Sequence, residues 1–405
     1  MMHVLLGPGS RLAVRLTLSA IVSLVIAISP SYGQPATPTA GAAPAAAAPA
    51  AKPEYEALPY DVGQRKNQVK AMDVIRGGKF DPAGEKIFND YFKLYALGRW
   101  TQPENLHQLA ALRKETRNQL FMAKGGVSHS RLTKLLLDEC SRIAVGNYHP
   151  VVRANAMLMI GDLNFDEPSK PTDDPIPLPA ALPVMVAQLN APEQIDAVRV
   201  AALVGLSRHA RLGIRDAETA RDVAQAALKV LTTKSVPGRS GAGNGWMRAQ
   251  AAEVLGGVGG SGDLKAVAEA LGQLAGDTGA PITARRAAAQ AMGRLDYKSA
   301  TALNREALAN SLGRLAVSAY QTAKNDAQPD AAVRRMKSVL YACSQGIAGV
   351  AKGVDPAQQA FVAQVQEKVT AMMAVFDERD IRSDEVLRRM DSLAEELENG
   401  LKKAA

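Results

Sequence analysis

The sequence predicts an all-α protein made of about five to six helix pairs stacked as a repeat array, and three observations carry that prediction. Aromatics make up only 4% of the 405 residues while hydrophobics reach 47%, with 33 glycines and abundant alanine. That balance suits thin helices that approach one another closely and weighs against a β-sandwich or barrel. A short motif recurs four times at helical spacing, and each copy is preceded across a loop by a second stretch of helical period.

From the N-terminus, Arg11 and Arg15 lead into an uncharged run at 16–28, followed by the small residues Ser31 and Gly33. Such a run falls short of the roughly 20 apolar residues that a transmembrane helix needs. Residues 1–33 therefore read as a secretory signal peptide cleaved near Gly33 and Gln34, with an uncleaved anchor as the alternative. Residues 34–53 hold only Ala, Pro, Thr, Gly, Gln and Lys, a composition that cannot build a core and reads as a disordered linker. The expected location is periplasmic or secreted, with no membrane insertion after cleavage.

Residues 54–130 read as an N-terminal helical capping region. Phe88, Tyr91, Phe92 and Tyr95 recur at i, i+3, i+4 and i+7, with Trp100 just beyond. A bulky helix closing the first repeat is the main expectation there, and an aromatic ligand groove the other.

The repeats span 131–352. With Arg153, Arg199, Arg248 and Arg285 as the first position, the fourth is Ala156, Ala202, Ala251 and Ala288. The eighth is Ile160, Leu206, Leu255 and Met292, and the ninth is Gly161, Ser207, Gly256 and Gly293. Offsets of three, four and seven share one helical face, and the small ninth residue lets a neighbouring helix come close. The preceding helices are expected at 132–145, 182–189, 217–231 and 264–274. Further pairs follow at 303–323 with 331–350 and at 358–376 with 383–401. The last of these, with 353–405 as a C-terminal cap, carries Val386, Met390, Leu393, Leu397 and Leu401 as a heptad-like seam.

This Arg-x-x-Ala-x-x-x-apolar-small pattern resembles the HEAT-repeat family, here as a bacterial exported member. The resemblance implies a right-handed α-α superhelix of the HEAT/ARM-like solenoid type. Family repeats commonly carry an Asp shortly before the Arg, whereas Asn147, Gly241 and Asp277 or Thr278 occupy that loop here. A regular Asp to Arg ladder is accordingly not expected.

The chemistry-bearing residues are sparse. Two cysteines exclude a disulfide framework, and Cys140 and Cys343 are expected as separate buried thiols. No two of His107, His129, His149 and His209 stand at i and i+4, and no G-x-S-x-G occurs, so catalytic residues, a metal site and a cofactor site are all read as none. The glycine-rich loop 234–245 lacks the Lys-Ser or Lys-Thr of a phosphate loop. With Arg239 and Arg248 beside a helix opening at Trp246, it keeps only a weaker reading as an anion-holding turn. The loop 165–183 has six prolines and the acids Asp166, Glu167, Asp173 and Asp174, without the spacing of an EF-hand.

Residues 52–160 carry 17 Lys and Arg against 11 Asp and Glu, while residues 161–405 carry 29 of each. The excess is diffuse rather than a stripe, so no nucleic-acid partner is expected. The expected function is that of a non-enzymatic exported scaffold, monomeric, binding a protein partner in the cell envelope. Arg153, Arg199, Arg248, Arg285, Asp173, Asp174 and Trp246 are the candidate contacts. The recurring arginines also read as a structural ladder to loop carbonyls. The alternatives are a wall- or lattice-associated structural protein and a HEAT-like lyase or accessory enzyme.

Overall fold

The computed structural model describes residues 54–403 except 79, 124–125, 171, 298–302 and 379–380, so the signal peptide and linker expected at 1–53 lie outside the described residues. The first helices are α1 (Gln68–Gly77) and α2 (Pro82–Asn89), the latter continued by a wide π-type turn over Asp90–Leu97. Short 3-10 turns lead to α3 (Leu109–Ala123). There follow α4 (Gly126–Val145), α5 (Pro150–Asp162), α6 (Ala181–Asn190), α7 (Asp196–Leu212), α8 (Ala217–Thr232) and α9 (Gly241–Gly257). The remainder are α10 (Leu264–Gly276), α11 (Ile282–Met292), α12 (Arg305–Lys324), α13 (Pro329–Val350), α14 (Pro356–Ala374) and α15 (Ser383–Lys403). The strands among the described residues are β1 (Asn164–Asp166) and β2 (Ile176–Pro177), paired antiparallel.

Local chemistry sets these boundaries. Asp216, Ser240, Asp263, Asn304 and Asp355 each accept a backbone N–H in the first turn of the helix that follows, satisfying donors that have no intrahelical partner. His149 does the same for α5, its Nδ1 accepting from the Val151 N–H at 3.3 Å, and Pro150 fills the first helical position where no N–H is needed. Ser240 also explains a departure from the sequence reading: α9 opens at Gly241, not at Trp246, because the serine caps Gly243 and the glycines wind into the first turn.

Helices α4 with α5, α6 with α7, α8 with α9, α10 with α11 and α12 with α13 pack as consecutive pairs. Each second helix packs on the next, α5 on α7, α7 on α9, α9 on α11 and α11 on α13. First helices meet in the same order from α6 to α12. Small residues set the contact between second helices. A Cβ built on Gly161 would stand 2.6 Å from the Gly205 Cα, one on Gly256 2.8 Å from the Ala291 Cα, and one on Gly293 2.6 Å from the Gln345 carbonyl oxygen. These are backbone neighbours, so no side-chain shift relieves them.

The two ends are built differently. Phe88, Tyr91, Phe92, Tyr95 and Trp100 are all buried, with ring centroids of successive pairs 4.9 to 5.7 Å apart, which makes them packed core rather than a ligand groove. Burial pushes the Tyr91 hydroxyl pKa up to about 12. At the other end α14 and α15 close on α12 and α13, burying Val386, Met390, Leu397 and Leu401, while Tyr320 and Lys324 donate to Asp391. The seam on α15 is thus occupied within the chain. Cys140 and Cys343 are buried and unbridged, and burial raises both thiol pKa values, that of Cys343 to about 12.

Candidate functional site

The motif arginines point back into the fold. Arg153 Nε donates to the Ala144 carbonyl at 3.1 Å, Arg248 Nε to Leu231 at 2.9 Å, and Arg285 Nε to Ala275 at 3.0 Å. Arg199 Nη2 donates to the Ala191 and Pro192 carbonyls at 2.7 and 2.9 Å. Each guanidinium thus caps the C-terminal end of the first helix in its own pair, where unpaired carbonyls carry partial negative charge. Three reach onward to the next pair, Arg153 to Gln194 Oε1 at 2.6 Å, Arg248 to Asp277 at 3.7 Å and Arg285 to Ser318 Oγ at 3.1 Å. Arg248 and Arg285 are 7% and 4% exposed, so these two offer almost no surface to a partner. Arg239 is held by both Asp196 oxygens at 2.6 and 2.7 Å, so the arginine that the anion reading relied on is already paired within the chain.

Trp246 is half-buried and packs against the core of the same helices. The Cβ position of Gly245 lies 2.5 Å from Pro281, so the first turn of α9 comes close to the start of α11, where Ile282 is exposed. One helix further, Arg286 Nη1 donates to Ser338 Oγ at 3.2 Å, and Tyr341, a turn along α13, is 54% exposed. Trp246, Ile282, Arg286, Ser338 and Tyr341 therefore lie along consecutive second helices. Only Trp246 among them was singled out by sequence.

A buried polar assembly lies elsewhere, where the proline-rich loop leaves α5, and sequence reasoning missed it. Glu167 turns inward among the helices. Its Oε1 accepts from Arg117 Nη1 at 3.1 Å and its Oε2 from Asn164 Nδ2 at 2.7 Å, while His129 Nε2 stands 3.6 Å from Oε1. Burial opposes its ionisation, but His129, Arg117 and Asn164 outweigh that and hold the carboxyl below its ordinary range. Arg208 donates to Asn164 Oδ1 and to the Gly161 carbonyl, and burial lowers its pKa to about 10. Arg113 donates to Asn155 Oδ1 at 2.7 Å and pairs with Asp162 at 3.6 Å. His209, next to Arg208, is buried with Nε2 unpartnered, and desolvation followed by the Arg208 charge lowers its pKa to about 3.

This network fixes the start of the loop. Leu163 and Asn164 are fully buried and Glu167 nearly so, yet Phe165 between them is 65% exposed. The β1–β2 ladder and the bond from the Leu178 N–H to the Leu163 carbonyl, 3.0 Å, hold the other strand of the loop. Asp173 and Asp174 are exposed near its tip, away from Glu167 in the chain. Beside Phe165 runs an open groove of about 640 Å³ walled by the first turns of α4.

Among the described residues no group of three or more His, Cys, Asp or Glu is disposed to hold a metal ion, and no helix is long and apolar enough to cross a membrane. Set against known proteins, the chain matches no family model, no curated protein and no solved structure.

Proposed function

We propose that the chain is an exported, non-enzymatic HEAT-like α-solenoid that acts as a scaffold for a protein partner in the cell envelope. The supporting observation is that successive second helices expose Ile282 and Tyr341 and are joined at the surface by the Arg286–Ser338 bond, with Trp246 half-buried on the second helix before them. Extended surfaces of this kind are what stacked helix pairs supply, and Trp, Tyr and Arg are the side chains that most often anchor protein interfaces. The motif arginines bind within the fold, and Asp173 and Asp174 are exposed on the proline-rich loop as further candidate contacts.

The test is affinity capture with in-cell crosslinking, using the full chain as bait and mass spectrometry as readout. One dominant partner, lost when Trp246 and Tyr341 are both replaced by Ala, is the expected result. Retention by wall or membrane material that high salt releases, with no enriched protein, would replace the scaffold by a wall-associated structural role, since exposed electrostatic attachment is screened at high ionic strength.

A further inference from the structure

We infer that the face shared by α11 and α13 is a docking site for an acidic segment of a partner protein, one that sets an apolar side chain beside two or more carboxylates. The inference rests on the scaffold reading and deepens it by naming the chemistry of the partner. The two helices run side by side in one direction, since Arg286 meets Ser338 while Gly293, further along, approaches Gln345 and Gly349. That register fixes which side chains are neighbours. Ile282 and Arg334 each stand one turn before the Arg286–Ser338 bond, and Gln290 and Tyr341 about one turn after it, offsets that share one face of each helix. Ile282, Arg334, Ser338 and Tyr341 are exposed, and Arg286 and Gln290 are half-buried.

Charge decides the occupant. The chain holds no Asp or Glu between Asp277 and Asp296, nor between Asp330 and Asp355, so the facing turns of both helices carry cations without carboxylates. The acids around the face are engaged elsewhere. Asp330, one turn before Arg334, accepts from the Ser383 hydroxyl at 2.6 Å, and Asp384 pairs with Arg382 at 3.2 Å. Asp326 holds Arg335 at 2.6 Å and Glu253 holds Arg294 at 3.0 Å. Arg286 bonds to the Ser338 hydroxyl, and Arg334 has no partner among the described residues. A carboxylate that arrives at these two guanidiniums therefore displaces water and breaks no ion pair, and each guanidinium can offer it parallel donors. Ile282 and Tyr341 add apolar contact on either side, which a protein segment uses and a plain polyanion does not. Two free arginines are also too few for the cationic stripe of a nucleic-acid site.

The experiment uses fluorescence anisotropy of labelled 12-residue peptides against the full chain. Two carry a central Leu-Phe pair, flanked by Glu in the first and by Lys in the second, and a third keeps the Glu flanks with Gly in place of the pair. The first is expected to bind at least about 10-fold tighter than the Lys peptide and about 5-fold tighter than the Gly peptide. Arg334→Glu, at an exposed and unpaired position, is expected to weaken it about 10-fold with an unchanged melting temperature, and Phe165→Ala to leave it unchanged. Equal binding of the Glu and Lys peptides would overturn the inference, as would indifference to Arg334→Glu. So would equally tight binding of the Gly peptide or of a short thymidine strand, since either would make the face a general polyanion site. A captured partner that is lost with Trp246 and Tyr341 but indifferent to Arg286→Glu and Arg334→Glu would remove this inference and keep the scaffold. Glu peptide bound through Arg334, with no partner captured, would do the reverse.

Discussion

Arg285 is buried and Arg117 half-buried, and their partners differ in kind. Arg285 bonds to a backbone carbonyl ten residues before it and to the Ser318 hydroxyl, and its counterparts in the other three motifs likewise cap a preceding helix. Arg117 instead meets the carboxylate of Glu167, 50 residues away, in a cluster that also takes in His129, Asn164 and Arg208. The first arrangement is local and repeatable, since every helix end offers unpaired carbonyls. The second is assembled once, from distant segments, and every member depends on the others. Stability in the stack should therefore respond to sterics and caps, and stability around the loop to charge.

The largest effect is expected where a buried partner is removed. Glu167→Ala leaves the Arg117 cation and the Asn164 amide without their acceptor and should lower unfolding free energy by about 3 kcal/mol in urea titration. A loss below about 1 kcal/mol would mean that solvent screens the cluster. Gly161→Ala should follow at about 2 kcal/mol, because its methyl group meets the Gly205 backbone, whereas Gly77→Ala, with open space around it, should be neutral or slightly stabilising. Equal melting temperatures for these two alanine variants would deny the close approach of α5 and α7.

Acidification should separate the regions further. His209 is neutral in the fold with a pKa near 3 against 6.5 for the free side chain, so the unfolded chain binds its proton first. Stability is complete above about 6.5 and should fall as pH drops below it, by up to about 1.4 kcal/mol per unit until His209 itself titrates. Glu167, with a lowered pKa, contributes stability that is present above its ordinary 4.5 and lost as pH falls through its folded value, so the window from 6.5 to 4.5 isolates the histidine. His209→Asn should flatten the slope there in melts recorded against pH. The smallest effect, about 1 kcal/mol, is expected for Arg199→Ala, which unpairs the Ala191 and Pro192 carbonyls at a partly exposed site. Unchanged stability together with lost partner capture would turn that arginine from a cap into a contact.

The same contrast explains what was legible in the sequence. The helix pairs stand out because Ala156, Ala202, Ala251 and Ala288 follow their arginines at one spacing, and the small ninth residues Gly161, Gly256 and Gly293 are the points where helices meet. The boundary of α9 was missed by five residues because its glycines read as loop, while Ser240 in fact caps them into a helix. Phe88 to Tyr95 read as one regular helix, but the chain widens into a π-type turn there and still buries all four rings. Glu167 was grouped with Asp166, Asp173 and Asp174 as a loop acid, since nothing within its own segment signals that it turns inward. Its partners Arg117 and His129, and Arg208, which holds its neighbour Asn164, lie on three separate helices.

Amide hydrogen exchange of the full chain, read by mass spectrometry with and without Glu167→Gln, tests both halves of this account at once. The predicted result is strong protection of α5, α7, α9 and α11 in both proteins, with Glu167→Gln speeding exchange only between residues 163 and 178. Second helices that exchange as fast as the exposed start of the described chain, or a loop indifferent to Glu167→Gln, would contradict it.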